Sequence, residues 1–114
     1  MKSFIEISLE IEGMHCWPAA RELFKEVAYL SDKHRHLFVI KCRAEVSHGD
    51  RQIEFIMLKH EVKKYFGKYY QPELGMCDFG SMSCEQIAAE LIDRFDLFMC
   101  SVHEDGENGA VVYK

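Results

Sequence analysis

The chain has 114 residues, of which 48% are hydrophobic and 29% charged, with only two prolines. This composition is typical of one globular domain spanning residues 1–114, and it excludes intrinsic disorder, collagen-like repeats and a multidomain machine. The formal charge of -5, from 14 Lys and Arg against 19 Asp and Glu, provides no basic surface for nucleic acid. We therefore expect no nucleic-acid partner.

Few features of the sequence bear on cellular location. Glu6 and Glu10 interrupt the first apolar run before it reaches the length of a signal peptide. No stretch approaches the ~18 apolar residues of a membrane helix. The five cysteines form no regular framework, which in a chain without an export signal favours reduced thiols. The sequence thus predicts a cytoplasmic protein with no membrane partner.

The first half of the chain predicts two long strands. Apolar and polar residues alternate over residues 3–11, which is typical of a half-buried strand. From Pro18 to Leu30, apolar residues recur three and four positions apart and predict a short helix. A second long alternating segment follows over residues 36–47 and predicts the second strand.

The middle of the chain predicts a hairpin and a helix. After a turn at residues 48–51, residues 52–55 are expected to pair back on the second strand. The apolar period then lengthens to that of a helix from Ile56 onward. Residues 67–80 hold three of the seven glycines and predict a loop.

The last third of the chain begins with a helix-start signal. Ser83 and Gln86 match the capping-box pattern, which predicts a helix through Phe95. Strands are predicted over residues 97–102 and 110–113, with a turn between them. Strands that neighbour in hairpins, together with intervening helices, predict an α+β fold with an antiparallel sheet and helices on one face.

Histidines at the strand ends are the candidate metal ligands. His34 and His36 project to the same face of the second strand, because strand side chains alternate. His15 lies just past the first strand and offers a third ligand. Three neutral imidazoles with an open fourth position are typical of catalytic zinc sites, so the sequence predicts bound Zn²⁺. The alternative is that the His-x-His pair is an ordinary solvated surface group.

Five short motifs follow one another over nearly the whole chain. They are His15, the His34-x-His36 pair, the segment 49–55 with its continuation into Leu58-Lys59, the helix start 83–88, and Val102-His103-Glu104 before Val111-Val112-Tyr113. In this order they resemble the motifs of the 6-pyruvoyltetrahydropterin synthase and 6-carboxytetrahydropterin synthase family. The resemblance implies the tunnelling fold, in which a four-stranded antiparallel sheet carries two helices. It also implies subunits that join sheet edges into a barrel and stack as a homo-hexamer.

The resemblance implies roles for individual residues as well. His15, His34 and His36 correspond to the zinc ligands of the family. Glu104 corresponds to the carboxylate that binds the amino and ring N–H groups of a pterin, where a charged acceptor faces two parallel donors. Two further residues, Ser83 and Glu85, match a threonine and a glutamate near the ring pocket. The alternative for this pair is an N-cap with a first-turn acid.

Two features of the family are missing from this sequence. Residues 25–33 contain no cysteine where the family has its catalytic one, and residues 64–81 contain no histidine for its Asp-His pair. The candidate catalytic substitutes are Cys16, which adjoins a predicted zinc ligand, and Cys77 with Asp78 in the predicted loop. Each thiol has the alternative role of a small buried hydrophobe.

These matches and departures leave two functions open, and with them the question of whether the protein is an enzyme. The first is a zinc-dependent synthase-like enzyme, a carbon-oxygen lyase acting on a pterin triphosphate or a related bicyclic heterocycle. The second is a degenerate zinc-binding member that binds a pterin-like or purine-like ligand without the standard reaction. A structural zinc oligomer without a small ligand ranks last.

Overall fold

One mixed sheet of six strands organises the computed structural model, which describes all residues from Met1 to Lys114. The strands are β1 Ser3–His15, β2 His34–Val46, β3 Tyr70–Gln71, β4 Met76–Asp78, β5 Met99–Glu104 and β6 Asn108–Tyr113. The helices are α1 Ala20–Leu23, α2 Phe55–Tyr65 and α3 Cys84–Phe95, with 3-10 helices at Lys25–Ser31 and Phe66–Tyr69. The strand order across the sheet is β3-β4-β1-β2-β5-β6.

The predicted α+β class is confirmed, although the sheet has six strands instead of four. The two additional strands, β3 and β4, are short and extend the sheet beyond β1. Strand β4 runs parallel to β1, with Gly13 opposite Cys77, whereas all other neighbours are antiparallel. Pairing across this edge is a tertiary interaction, so the glycine-rich segment that contains both strands predicts only a loop from its sequence.

The predicted hairpin over residues 52–55 is wrong, because β2 already has β1 on one side and β5 on the other. These residues instead lead into α2. The Glu54 side chain accepts a hydrogen bond of 2.9 Å from the backbone N–H of Met57 and caps the helix. The helical period predicted from Ile56 onward is correct.

Strands β1 and β2 form the longest ladder of the fold, with thirteen opposed pairs from Ser3↔Val46 to His15↔His34. One face of this ladder is apolar and buried, including Leu9, Phe38 and Ile40. Burying each such side chain contributes roughly 1.5–3 kcal/mol to stability. The helix residues that complete the same core are Val62 of α2 and Ile87, Ala88, Leu91 and Ile92 of α3. Both long helices therefore cover one face of the sheet.

The segment that joins β1 to β2 is mostly irregular. The predicted helix between Pro18 and Leu30 is limited to the four residues of α1, and the rest is a 3-10 helix with a kink at Val27. The backbone N–H of Trp17 donates to the carbonyl of Leu30 at 2.7 Å, which closes the segment into a loop. This loop stands beside the end of the sheet where the histidines lie.

Helix α3 begins as its sequence predicts. The Ser83 hydroxyl accepts from the backbone N–H of Gln86 at 3.2 Å, and the Gln86 side chain accepts from the Ser83 N–H at 2.9 Å. The helix ends at Asp96, which has a left-handed conformation with φ of 52°. None of the helices in the structure combines the length and apolar character needed to span a bilayer. All five cysteines are free thiols.

Candidate metal centre

Strand register brings the three predicted histidine ligands together. The β1–β2 ladder ends at the pair His15↔His34, and Gly13 is opposite His36. Because side chains alternate along a strand, all three imidazoles share the face that further along carries Phe38. The histidine cluster is therefore the polar end of the hydrophobic core.

Aromatic side chains pack against the histidine cluster on the side of the hydrophobic core. A Cβ atom on Gly13 would lie 2.6 Å from the ring of Phe79, so only glycine leaves room for that ring. Phe79 packs edge-on against Phe38 at 5.2 Å between ring centroids, and Phe38 packs against His15 at 5.1 Å. The imidazole of His15 is thus held between the ladder and an aromatic layer.

Each of the three histidines uses Nδ1 in a hydrogen bond to an oxygen. His15 Nδ1 donates to the Met82 carbonyl at 2.8 Å, and His34 Nδ1 donates to the Asp32 carbonyl at 2.8 Å. His36 Nδ1 donates to a carboxylate oxygen of Asp105 at 2.7 Å. Since these oxygens only accept, Nδ1 carries the proton and Nε2 of a neutral ring keeps a lone pair. This is the arrangement that proteins use to orient metal-ligating histidines.

The Glu104 carboxylate completes the cluster. One ligand atom from each of His15, His34, His36 and Glu104 lies within 4.8 Å of the others. Glu104 Oε2 is 2.8 Å from His15 Nε2, and Oε1 is 3.6 Å from His36 Nε2. Glu104 lies on β5 opposite Phe38, and Phe38 is two residues along β2 from His36. This pairing brings the carboxylate next to the histidines.

The four groups fit a divalent cation. A carboxylate oxygen and an Nε2 lone pair both accept, so the close contact of Glu104 with His15 requires a positive charge between them. His36 Nε2 is buried and has no hydrogen-bond partner, which costs about 1–3 kcal/mol when left unsatisfied. A proton would satisfy one of these contacts, whereas one metal ion satisfies all of them. Three imidazoles and a carboxylate form a donor set that suits Zn²⁺.

Asp105 contacts the histidine cluster and is a residue that the sequence interpretation missed. Its carboxylate accepts from His36 Nδ1 and also from the backbone N–H of Leu37 at 2.9 Å. The hydrogen bond from Leu37, followed by the one from His36, lowers the pKa of the Asp105 carboxyl. Asp105 has φ of 57°, a left-handed conformation that Asp tolerates better than most residues. The signal available in the sequence was an acid in the predicted turn directly after Glu104.

A cavity of about 490 Å³ lies over the cluster and is lined by 13 residues. Six of the predicted site residues line it: His15, Cys16, His34, Ser83, Glu85 and Glu104. Trp17 and Leu30 form part of its apolar wall, and Asn108 and Gly109 border it from β6. The structure thus brings two of the three predicted metal ligands and the predicted ring-pocket residues to the cavity, while His36 belongs to the histidine cluster but does not line the cavity.

Cys77 and Asp78 do not line this cavity. Cys77 is buried, its thiol donates to the Phe66 carbonyl at 3.6 Å, and burial raises the pKa of this thiol. Asp78 forms an ion pair with Lys33 and accepts from the N–H of Gly80 at 2.9 Å. These two hydrogen bonds, that of Lys33 first, lower the pKa of the Asp78 carboxyl. Among the predicted catalytic residues, Cys16 is the one in contact with the cavity.

Cys84 lines the cavity and is another residue that the sequence interpretation did not single out. It is the first residue of α3, is 7% exposed, and places its sulfur 3.8 Å from Glu104 Oε2. Burial, together with the charges of Glu104 and Glu85, raises the pKa of the Cys84 thiol to about 12. The thiol is therefore protonated at neutral pH and donates to the Glu104 carboxylate. The capping-box prediction concerned Ser83 and Gln86 and assigned no role to Cys84.

Comparison with known proteins supports the fold. No protein-family model matches the chain, and no curated protein sequence matches it. Among solved structures, the 6-pyruvoyl tetrahydropterin synthase of Caenorhabditis elegans aligns with a TM-score of 0.73. The alignment covers 100% of this chain and 96% of that chain, with 12% sequence identity. The resemblance indicated by the sequence motifs is thus confirmed at the level of the fold.

Proposed function

We propose that this protein is a divergent, zinc-binding member of the 6-pyruvoyltetrahydropterin synthase family that binds a pterin or a related bicyclic heterocycle. The observation that carries the proposal is the convergence of His15, His34 and His36, each with Nδ1 in a hydrogen bond to an oxygen and Nε2 as the remaining candidate metal ligand. The shared fold places this cluster in a scaffold that a pterin synthase also uses.

Glu104 is the proposed anchor for the heterocycle. Its side chain is 29% exposed and lines the cavity beside His15 and His34. A carboxylate that accepts two parallel N–H groups makes a strong, directional contact with an amide-like ring edge. Ser83 and Glu85 border the same cavity and are proposed as further ligand contacts. In this assignment His15, His34 and His36 would hold the metal ion, and the Glu104 carboxylate would bind the heterocycle instead of completing the donor set of the metal.

The proposed chemistry is proton transfer at the side chain of the heterocycle. A zinc ion held by the three histidines would supply Lewis acidity toward an oxygen of that side chain. The base must then come from a group within reach of the cavity, and Cys16 is the proposed one because it adjoins His15 and lines the cavity wall. An enzyme built in this way would be a carbon-oxygen lyase.

A second candidate function is binding without this reaction. It is favoured by Asp78, which pairs with Lys33 and contacts no histidine. Its lowered pKa makes this carboxyl a poor base, and Cys77 is buried away from the cavity. Two of the three predicted catalytic groups are thus separated from the metal cluster, while the ligand-binding groups are together.

We further propose that the protein is a cytoplasmic homo-oligomer, and a hexamer by analogy with the family. The outer edge of β6 has no partner strand, and such edges favour pairing with another chain. Large apolar side chains are exposed on β6 and in the segment between β1 and β2: Val111 and Tyr113 on the strand, and Trp17, Leu23, Phe24 and Tyr29 in the segment. The free thiols agree with a reducing compartment. A stable monomer in light scattering at micromolar concentration would contradict the assembly.

Metal analysis tests the core of the proposal. Purified protein, dialysed after loading with Zn²⁺, is expected to retain one zinc per chain, and His34→Ala and His36→Ala are expected to lose it. His60→Ala is the matched control, because His60 is an exposed residue of α2 outside the cluster. Equal zinc content in all four proteins would end the proposal.

A further inference from the structure

We propose that the indole of Trp17 is the surface on which the ring of the ligand stacks, and that it makes the cavity selective for flat heterocycles. This role rests on the proposed function and narrows its ligand class from bicyclic heterocycles in general to those with a planar ring. Trp17 lines the cavity two residues after His15. It therefore borders the same space as Glu104, the proposed anchor of the ring edge.

The backbone holds Trp17 in one place. Its N–H donates to the carbonyl of Leu30 at 2.7 Å, and its carbonyl accepts from the N–H of Ala20 at 3.0 Å. Trp17 also precedes Pro18, and the proline ring disfavours the helical conformation for the residue before it. Such a fixed position suits a stacking residue, because a side chain that must be ordered on binding weakens the affinity.

Aromatic packing supports the indole from outside the cavity. The ring centroids of Trp17 and Phe24 are 5.8 Å apart, and the ring planes are inclined at 46°. Phe24 does not line the cavity, so this contact leaves the cavity side of the indole uncovered. Trp17 is accordingly 38% exposed. An indole that is supported on one side and accessible on the other has surface available for a second flat ring.

The edge and the faces of a pterin-like ring require different partners. Its edge carries N–H donors, which suit the Glu104 carboxylate, whereas its faces gain from contact with an aromatic surface. The cavity supplies both partners, Glu104 from β5 and Trp17 from the segment after β1. Stacking of a nucleobase on an aromatic side chain is worth about 5–150-fold in affinity. A contact of this size is large enough to select among ligands.

This contact does not depend on what a neighbouring chain adds to the cavity wall. Strand β1, which leads into Trp17, is separated from β6 by β2 and β5. Three strand spacings correspond to roughly 14 Å, so a chain that pairs with the free edge of β6 extends the wall on the side away from Trp17. Further residues can surround the ligand there without removing the stacking surface.

Variants of Trp17 separate stacking from simple apolar contact. Trp17→Phe keeps a flat ring, whereas Trp17→Leu keeps a large apolar side chain without one. In calorimetric titrations of zinc-loaded proteins with neopterin, Trp17→Phe is expected to stay within about threefold of the unmodified protein and Trp17→Leu to bind at least about tenfold more weakly. Equal affinities of the two variants would overturn the inference and leave the proposed function standing. If neopterin does not bind the unmodified protein, the proposed function fails and the inference fails with it.

The same variants test whether Trp17 serves a subunit contact instead, since it is one of the exposed apolar side chains. Light scattering measures the assembly of each variant. An unchanged assembly in Trp17→Leu, together with the loss of affinity, would assign the indole to the ligand. A smaller assembly with unchanged neopterin affinity would assign it to the subunit interface and overturn the inference.

A second test varies the shape of the ring on the unmodified protein and is independent of how the variants fold. Tetrahydroneopterin has the same amino and amide edge as neopterin, but its reduced ring is puckered. Under anaerobic conditions, neopterin is expected to bind at least about fivefold more tightly than tetrahydroneopterin. Bound neopterin is also expected to shift the NMR signal of the indole N–H, which is the only one in the chain. Equal affinities, or an indole signal that does not move at saturation with neopterin, would overturn the inference.

Discussion

His36 Nδ1 donates a 2.7 Å hydrogen bond to the Asp105 carboxylate, and this contact fixes which nitrogen of His36 faces the metal cluster. Asp105 is held in turn by the backbone N–H of Leu37, next to His36 on β2. Its own N–H donates to the Leu37 carbonyl at 2.8 Å. The turn after β5 and the beginning of β2 are therefore locked together, and the imidazole is oriented by the same carboxylate.

The first prediction concerns this contact. Asp105→Ala is expected to weaken zinc binding by about 10–100-fold. In other metalloproteins, loss of a carboxylate that is hydrogen-bonded to a metal-ligating histidine has an effect of this size. Competition against a chromophoric chelator measures the affinity. Asp105→Asn keeps an acceptor oxygen and is expected to lose less. Zinc affinity that is unchanged in Asp105→Ala would show that His36 does not depend on this carboxylate.

The second prediction concerns stability. An ion that binds the folded state at 100 times its Kd adds about 2.7 kcal/mol to the free energy of unfolding. In a chain of this size that corresponds to a rise in Tm of roughly 10 °C. Thermal unfolding of metal-free and zinc-loaded protein measures the rise, which His34→Ala is expected to abolish. An equal rise in that variant would mean that zinc binds elsewhere.

Local patterns predicted the elements that carry most of the core. Strands β1 and β2 alternate strictly over long stretches, and α3 begins with a capping box that the structure retains. Strand β4, by contrast, has three residues and exists because Gly13 pairs with Cys77. Short strands that depend on a partner distant in sequence show no regular spacing of apolar residues, so their own sequence does not predict them.

The same distinction applies to the site. The common face of His34 and His36 was predictable, because side chains alternate along a strand and residues two positions apart lie on the same face. The positions of Asp105 and Cys84 depend on the register of β5 against β2 and on how α3 meets β5, which the sequence does not reveal. Metal ligands on long strands are therefore easier to predict than the residues that orient them.

The third prediction concerns pH. Burial and a 2.6 Å hydrogen bond to Glu90 raise the pKa of Tyr69 to about 12, above its ordinary value of 10.0. The folded state thus holds this proton more tightly than the unfolded state, and stability declines as the pH rises from 10 toward 12. Unfolding by denaturant at a series of pH values measures the decline. In Tyr69→Phe the decline in this window is expected to be smaller; an identical slope would contradict the assignment.

The fourth prediction separates the two roles available to Glu104. If Glu104 anchors the heterocycle, the variant Glu104→Gln is expected to retain zinc. Its neopterin binding is expected to weaken by at least ~1.5 kcal/mol, because a charge-assisted hydrogen-bonded pair is lost. Calorimetry and metal analysis on the same sample measure both quantities. Loss of zinc from this variant would identify Glu104 as a metal ligand. Glu107→Gln is the control for removal of a nearby charge, because Glu107 is exposed in the turn after Glu104 and does not line the cavity.

The fifth prediction is that the protein does not efficiently convert 7,8-dihydroneopterin triphosphate into the products of the two named synthases. General acid and base groups contribute about 10²–10⁴ in rate each. Residues 25–33 contain no cysteine and residues 64–81 contain no histidine, so the catalytic cysteine and the Asp-His pair that the resemblance implies are both missing. Cys77 and Asp78 lie outside the cavity, so Cys16 is the remaining predicted base. Turnover is measured by product chromatography with zinc-loaded protein, alongside a standard synthase of the family. Full turnover that disappears in Cys16→Ala would show that Cys16 has taken over the base role, and full turnover that survives there would place the base in a group outside the predicted set.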